Sequence, residues 1–196
     1  LGDGATTGTK ITCHEDDAEI VDRCIVPENG RAGVRYYERG TKVFGQSIGV
    51  LPLKGPKNDA RRLRVRLMAL GVWGNKHIPQ SYLTSSIEQR RELLAGLMDT
   101  DGHVGKANGR IEFTTVLEVL AHGVIELARS LGYKATLISG RATLNGVDKG
   151  PKYRVCWTNP YPVFRMRRKA AVHQAWVDRR AAQEAELRRK RGKRRC

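Results

Sequence analysis

Two acids close a run that reads as a helix. Leu93-Leu94-Ala95-Gly96-Leu97-Met98 leads directly into Asp99-Thr100-Asp101-Gly102. The leucines and Met98 supply packing surface, and Ala95 with Gly96 would let a second helix approach closely. A carboxylate at a helix C-terminus opposes the helix dipole at a cost of about 0.3–1 kcal/mol. Something must compensate, and a bound divalent cation would do so. Hard cations such as magnesium take oxygen ligands and keep several waters. A carboxylate from each of two packed helices could hold such ions against a phosphodiester, and the chemistry would be metal-assisted hydrolysis. Asp-x-Asp-Gly can also be a plain turn or helix end. A calcium EF-hand is excluded, because its loop needs Gly at the sixth position and Glu at the twelfth. Counted from Asp99, those places hold Val104 and Arg110. A zinc site on Cys13, His14 and Cys24 lacks a second close ligand pair. The four cysteines form no C-x-x-C pair and read as thiols of a reducing compartment.

Charge narrows the partner. The formal net charge is +16 over 196 residues. Residues 165–196 hold 13 Lys and Arg against 3 Asp and Glu, yet the rest of the chain also stays basic. A polyanion is implied, since each phosphate neutralised by Lys or Arg releases counterions. A solvated basic tail is the plainer reading of the C-terminal run. No apolar stretch reaches the roughly 18 residues of a membrane span. No signal peptide opens the sequence, so the cytoplasm is the expected location.

The elements that must position the acids follow from periodicity. Thr9 to His14 alternates as a strand, with Lys10, Thr12 and His14 on one face. Asp16 to Cys24 has helical spacing. Val34 to Val43 reads as strand with Arg35 and Tyr37 together, and Asp59 to Leu70 as helix. Ser86 and Gln89 fit a capping box for the helix that ends near Gly102. Arg110, Glu112 and Thr114 face one way on the next strand, and Ile111 and Phe113 the other. Val116 to Leu131 is a helix closed by Gly132. Lys134 to Leu144 and Lys152 to Thr158 are strands separated by turn signals at Asn145-Gly146 and Lys149-Gly150-Pro151. Phe164 to Arg191 is helical. The two halves repeat one order of elements, with Asp3-Gly4 set against Asp101-Gly102 and a joint near residues 83–86, which suggests an internal duplication.

Leu94–Gly102 resembles the LAGLIDADG motif of homing endonucleases, departing from it only at Met98 and Thr100. Gly74-Asn75-Lys76-His77-Ile78-Pro79 resembles a segment lying between the two motifs of endonucleases found inside inteins. The likeness covers most of residues 1–170. It implies an α+β fold of two pseudo-symmetric αββαββα halves, with motif helices at the centre and two sheets forming a saddle over DNA. Residues 1–83 would be the first half, 84–176 the second and 177–196 a basic helical or disordered tail. Leu1-Gly2-Asp3-Gly4 matches the last four positions of a first motif, so the chain reads as truncated within it, most of that helix missing.

The resemblance also implies activity and roles. The protein would cut both strands of a long, asymmetric double-stranded DNA target with magnesium or manganese, as a monomeric pseudo-dimer. Asp3 and Asp101 would be catalytic metal ligands, with the carbonyls of Gly2 and Thr100 also facing metal, and Asp99 structural. Lys76 and Lys169 (or Arg167 beside it) would organise solvent and the transition state, or only sit near phosphate. Lys10, Thr12, Arg35, Tyr37, Arg110, Glu112, Thr114, Arg141, Arg154 and Arg167 would contact DNA; the alternative for the strand residues is an ordinary solvated sheet face. A host protein and splicing domain are implied partners, with a bacterial replicative helicase as the expected host. The ends carry no splicing nucleophile and no His-Asn pair, so splicing by this chain alone is not expected. A non-cleaving DNA-binding module or a degenerate endonuclease of the same fold is the alternative.

Overall fold

The computed structural model describes residues 10–13, 17, 19, 20, 34–37, 46–50 and 63–193. Gly2 and Asp3 lie outside these residues. In the N-terminal half the described strands are β1 (Lys10–Cys13), β2 (Val34–Tyr37) and β3 (Gln46–Val50). They pair antiparallel in the order β1-β3-β2. Then follow α1 (Leu63–Ala69) and a single turn, α2 (Gln80–Leu83). Neither β3 nor α2 is expected from periodicity. β3 (Gln-Ser-Ile-Gly-Val) has only two apolar side chains of strand type, and its two neighbours rather than its own propensity hold it.

The second half is complete. It runs α3 (Ile87–Asp101), β4 (Gly102–Val104), β5 (Ile111–Thr115), α4 (Glu118–Ser130), β6 (Thr136–Leu144), β7 (Val147–Trp157) and α5 (Arg167–Lys193). That is the αββαββα order expected, in an α+β architecture. The sheet is antiparallel in the order β4-β5-β7-β6. α3 starts where expected: the Ser86 hydroxyl accepts from the Gln89 N–H at 3.2 Å, and the Gln89 side-chain oxygen accepts from the Ser86 N–H at 3.2 Å.

The core lies between one face of this sheet and the helices α3 and α4. Ile111, Phe113, Val155 and Trp157 come from the sheet, and Leu94, Leu97 and Met98 from α3. Leu120, Ala121, Val124, Ile125, Leu127 and Ala128 form the buried stripe of α4, at the spacing of a helix with one apolar face. β5 alternates as the sequence indicates, with Ile111 and Phe113 buried and Thr114 exposed.

One expectation is corrected. Lys149-Gly150-Pro151 is not a turn but part of β7. The reversal is made by Asn145 and Gly146 alone, both with positive φ of 52° and 76°, as a two-residue hairpin turn requires. Pro151 is tolerated in the strand because it lies opposite Arg141, where the register with β6 shifts.

The turn between β4 and β5 meets α5 at Gly109. There φ is +62°, and a Cβ would sit 2.0 Å from the Trp176 ring. Gly109→Ala therefore combines left-handed strain with a clash against a buried indole. We expect it to lower unfolding free energy by about 2–3 kcal/mol, read from the urea midpoint at unchanged m-value. A loss below about 0.5 kcal/mol would contradict the contact.

Candidate functional site

Asp101 is the last residue of α3, and the structure shows what offsets the two acids at that helix end. Lys169, in the first turn of α5, donates from Nζ to the carbonyls of Met98 (3.0 Å), Asp99 (2.7 Å) and Thr100 (3.0 Å). These are last-turn carbonyls of α3, groups that a cation near a helix C-terminus satisfies. In return, buried Asp99 accepts at Oδ1 from the backbone N–H groups of Arg165 (2.8 Å) and Met166 (2.9 Å). Those donors lie just ahead of α5, so Asp99 serves as its N-terminal cap. Each helix thus supplies the charge that the other's end needs. The compensation expected from a bound cation is given, at least in part, by an ammonium of the chain itself.

Gly102 closes the junction. A Cβ there would meet the Met98 carbonyl oxygen and Cε at 2.4 Å. The chain leaves α3 tightly against its own last turn, so the glycine keeps Asp101 at the helix end. Thr100 Oγ1 donates back to Gly96 and Leu97 carbonyls at 3.2 and 3.1 Å.

Two acids from the N-terminal half, which the sequence did not single out, hold the first turn of α5. Arg168 donates to buried Asp17 from Nε and Nη2 at 3.1, 3.1 and 2.8 Å. Glu19 accepts from the Arg167 N–H at 2.6 Å and pairs with its guanidinium at 3.5 Å. The Arg167 side chain is otherwise 92% exposed. Lys76 is half-buried between α1 and α2. Arg165 pairs with Glu92 of α3.

The donor set suits a hard cation but does not form a closed site. Asp101 brings a carboxylate and Thr100 a carbonyl that Lys169 already engages. Among the described residues no group of three or more His, Cys, Asp or Glu could hold a metal ion. A magnesium ion here would rely on Asp101, on oxygens from outside these residues and on water or phosphate.

The polar face of the second sheet carries a second cluster. Register sets His103, Glu112, Cys156 and Thr136 in one cross-strand row and Thr114, Arg154 and Ile138 in the next. Glu112 is the hub. It accepts from Thr114 Oγ1 at 3.2 Å and from Cys156 Sγ at 3.5 Å, and pairs with Arg154 at 3.7 Å and Arg110 at 3.9 Å. Burial pushes the Cys156 thiol up, with Arg110 pulling the other way. Pairs this exposed contribute about 0–1 kcal/mol to stability, so their effect is to orient two guanidinium groups on side chains that stay 41% and 40% exposed.

Arg141 belongs elsewhere. By register it falls with Leu137 and Ser139, the opposite parity to Arg154. It pairs with Asp148 at 2.6 Å near the hairpin tip and holds that carboxyl below its ordinary range. In the first sheet, Lys10 and Arg35 both lie opposite Gly49, and Thr12 and Tyr37 both lie opposite Ser47. The four positions therefore share one face of that sheet, as alternation predicts.

Residues 77–181 match the protein-family model described as homing endonuclease. The chain belongs to the homing endonuclease family. It is 42% identical over 112 residues to the replicative DNA helicase DnaB of Mycobacterium intracellulare, a match covering 57% of this chain and 19% of that protein. It is 33% identical over 90 residues to the homothallic switching endonuclease of Saccharomyces cerevisiae, covering 43% and 15% respectively. The homing endonuclease chain thus spans less than a fifth of the length of each of these two curated relatives. Among solved structures it is similar to a variant of I-DmoI in complex with its target DNA in the presence of 2 mM magnesium, at 13% identity and TM-score 0.48, covering 76% of this chain and 72% of that one. It is also similar to mesophilic variants of I-DmoI, at 11% identity and TM-score 0.48, covering 85% and 79%.

The two-way capping has a measurable consequence. Asp99→Ala leaves two N–H groups at the start of α5 without their charged acceptor, and Lys169→Met removes the ammonium donor shared by three carbonyls, of which Met98's keeps the Gly102 N–H. Each should cost about 1.5–3 kcal/mol, the range for hydrogen bonds to charged groups. Chemical denaturation checks this, and a loss under about 0.5 kcal/mol in both variants would contradict the junction's role.

Proposed function

We propose that this homing endonuclease domain cuts both strands of double-stranded DNA at a long, asymmetric site, using magnesium or manganese. The observation that carries the proposal is Asp101 held at the end of α3 by the junction with α5. The polar sheet face bearing Arg110 and Arg154 gives the same domain a surface for duplex DNA. In this reading Asp101 holds the cation together with Asp3, which lies outside the described residues. The cation, when bound, supplies Lewis-acid stabilisation of charge on the phosphodiester oxygens. Lys169 keeps the end of α3 in place and electrostatically tolerant of its acids. Lys169 donates to three carbonyls of the last turn of α3, and in this arrangement it supports Asp101. Lys76 and exposed Arg167 are then the cations that would meet substrate. Arg110 and Arg154, oriented by Glu112, would donate to base edges in the major groove, where arginine suits guanine.

The similarity to a segment of a replicative helicase supports an intein within such a helicase as the origin of the domain, with the gene of the uninterrupted helicase as the cleavage target. We propose a monomeric pseudo-dimer acting in the cytoplasm. Among the described residues no helix is long and apolar enough to cross a membrane.

A non-cleaving DNA-binding module is the second reading. Occupation of the α3 carbonyls by Lys169 favours it, because those oxygens are then less open to a metal. Supercoiled plasmid carrying the uninterrupted helicase sequence separates the two. Wild-type chain with magnesium should yield linear DNA, and both EDTA and Asp101→Asn should abolish it while binding persists. A wild type that shifts the target without linearising it leaves the binding module standing. Cleavage retained in Asp101→Asn overturns the assignment of the acid.

A further inference from the structure

The family match ends at residue 181, yet α5 continues as one helix to Lys193. Its first half is fixed to the body. Trp176 is buried against Gly109 and stacks on His173 at 6.0 Å, and Arg180 lies over the Trp176 ring at 5.5 Å. Arg179 donates to the Lys106 carbonyl in the turn between β4 and β5, the turn that leads directly into Arg110 on the polar sheet face. From residue 178 to residue 191 every side chain is exposed. This stretch has no apolar stripe to bury, and internal pairs between Arg180 and Glu184 (3.0 Å) and between Glu186 and Lys190 (2.7 Å) support it.

We propose that the distal part of α5, residues 182–193, is a second duplex-contacting arm that grips phosphates flanking the site covered by the endonuclease fold. The inference rests on the DNA-binding reading above. Charge and direction carry it. Arg188, Arg189, Lys190 and Arg191 are consecutive, and at about 100° per residue they surround the helix with positive charge. Among the described residues Arg188, Arg189 and Arg191 form no ion pair. At about 1.5 Å per residue the arm reaches about 18 Å past its root. That distance spans about five base pairs of duplex. A helix charged on all sides carries no rigid code for base edges, so its contacts are to phosphate and independent of sequence.

The test uses the full chain with Arg188, Arg189, Lys190 and Arg191 all replaced by Gln, which preserves helix propensity. Binding to target duplex is measured by fluorescence anisotropy from about 50 to 300 mM KCl, on a long duplex and on one trimmed to the footprint of the variant. On the long duplex the variant should lose about 2–3 from the slope of log K against log salt, and about tenfold or more in affinity at about 100 mM salt. On the trimmed duplex the difference between wild type and variant should largely disappear, and the cleavage position should not move. Equal slopes on the long duplex, with wild type binding normally, overturn the arm alone. A difference that persists in full on the trimmed duplex also overturns it, since that is a general charge effect. A wild type that binds no duplex overturns both the arm and the proposed function.

Discussion

The exchange of charges between the end of α3 and the start of α5 is the interaction on which the candidate site depends. A helix that ends in Asp99 and Asp101 places negative charge beside the partial negative charge of its last carbonyls. Lys169 meets three of those carbonyls, and Asp99 is turned away from them to cap α5. Removing either partner leaves a different helix end bare, so the two residues define a single joint. Asp101 is the final residue of α3, so the joint that holds this helix end also places Asp101. The anchoring of α5 by Asp17 and Glu19 extends the same joint toward the N-terminal half.

The polar sheet face obeys a different logic. Its register follows from burial of the opposite face, since a slip of one residue would put Ile111 and Phe113 in water. Once register is set, Glu112, Thr114 and Arg154 converge without further instruction. The acid among the cations costs some positive potential but fixes two long side chains that would otherwise lose rotamer freedom on binding. α5 links the two regions: it begins at the acidic helix end, passes the turn that presents Arg110 and projects beyond it.

Much of this was legible in residue order. The capping box at Ser86 and Gln89, the apolar stripe of α4, alternation in β5 and the Asn145-Gly146 turn are local signals, and the chain follows each of them. Short elements were not legible. β4 has three residues and β3 little strand propensity of its own, so their pairing partners decide them. The Lys149-Gly150-Pro151 signal misled because a register shift in β6 makes room for a proline within a strand.

By itself, then, the sequence determined the motif, its acids, the order of the second half and the basic balance of the chain, because each is written in near-neighbour spacing or in composition. The tertiary structure alone decided that Lys169 grips carbonyls some seventy residues away and that Asp99 caps a distant helix. It also decided that Arg141 faces away from Arg154 and that Trp176 fixes the direction of α5. The physical reason is the same in each case. A long charged side chain takes the partner that the packed core brings within about 3 Å, and spacing along the chain does not say which helix end or strand that is.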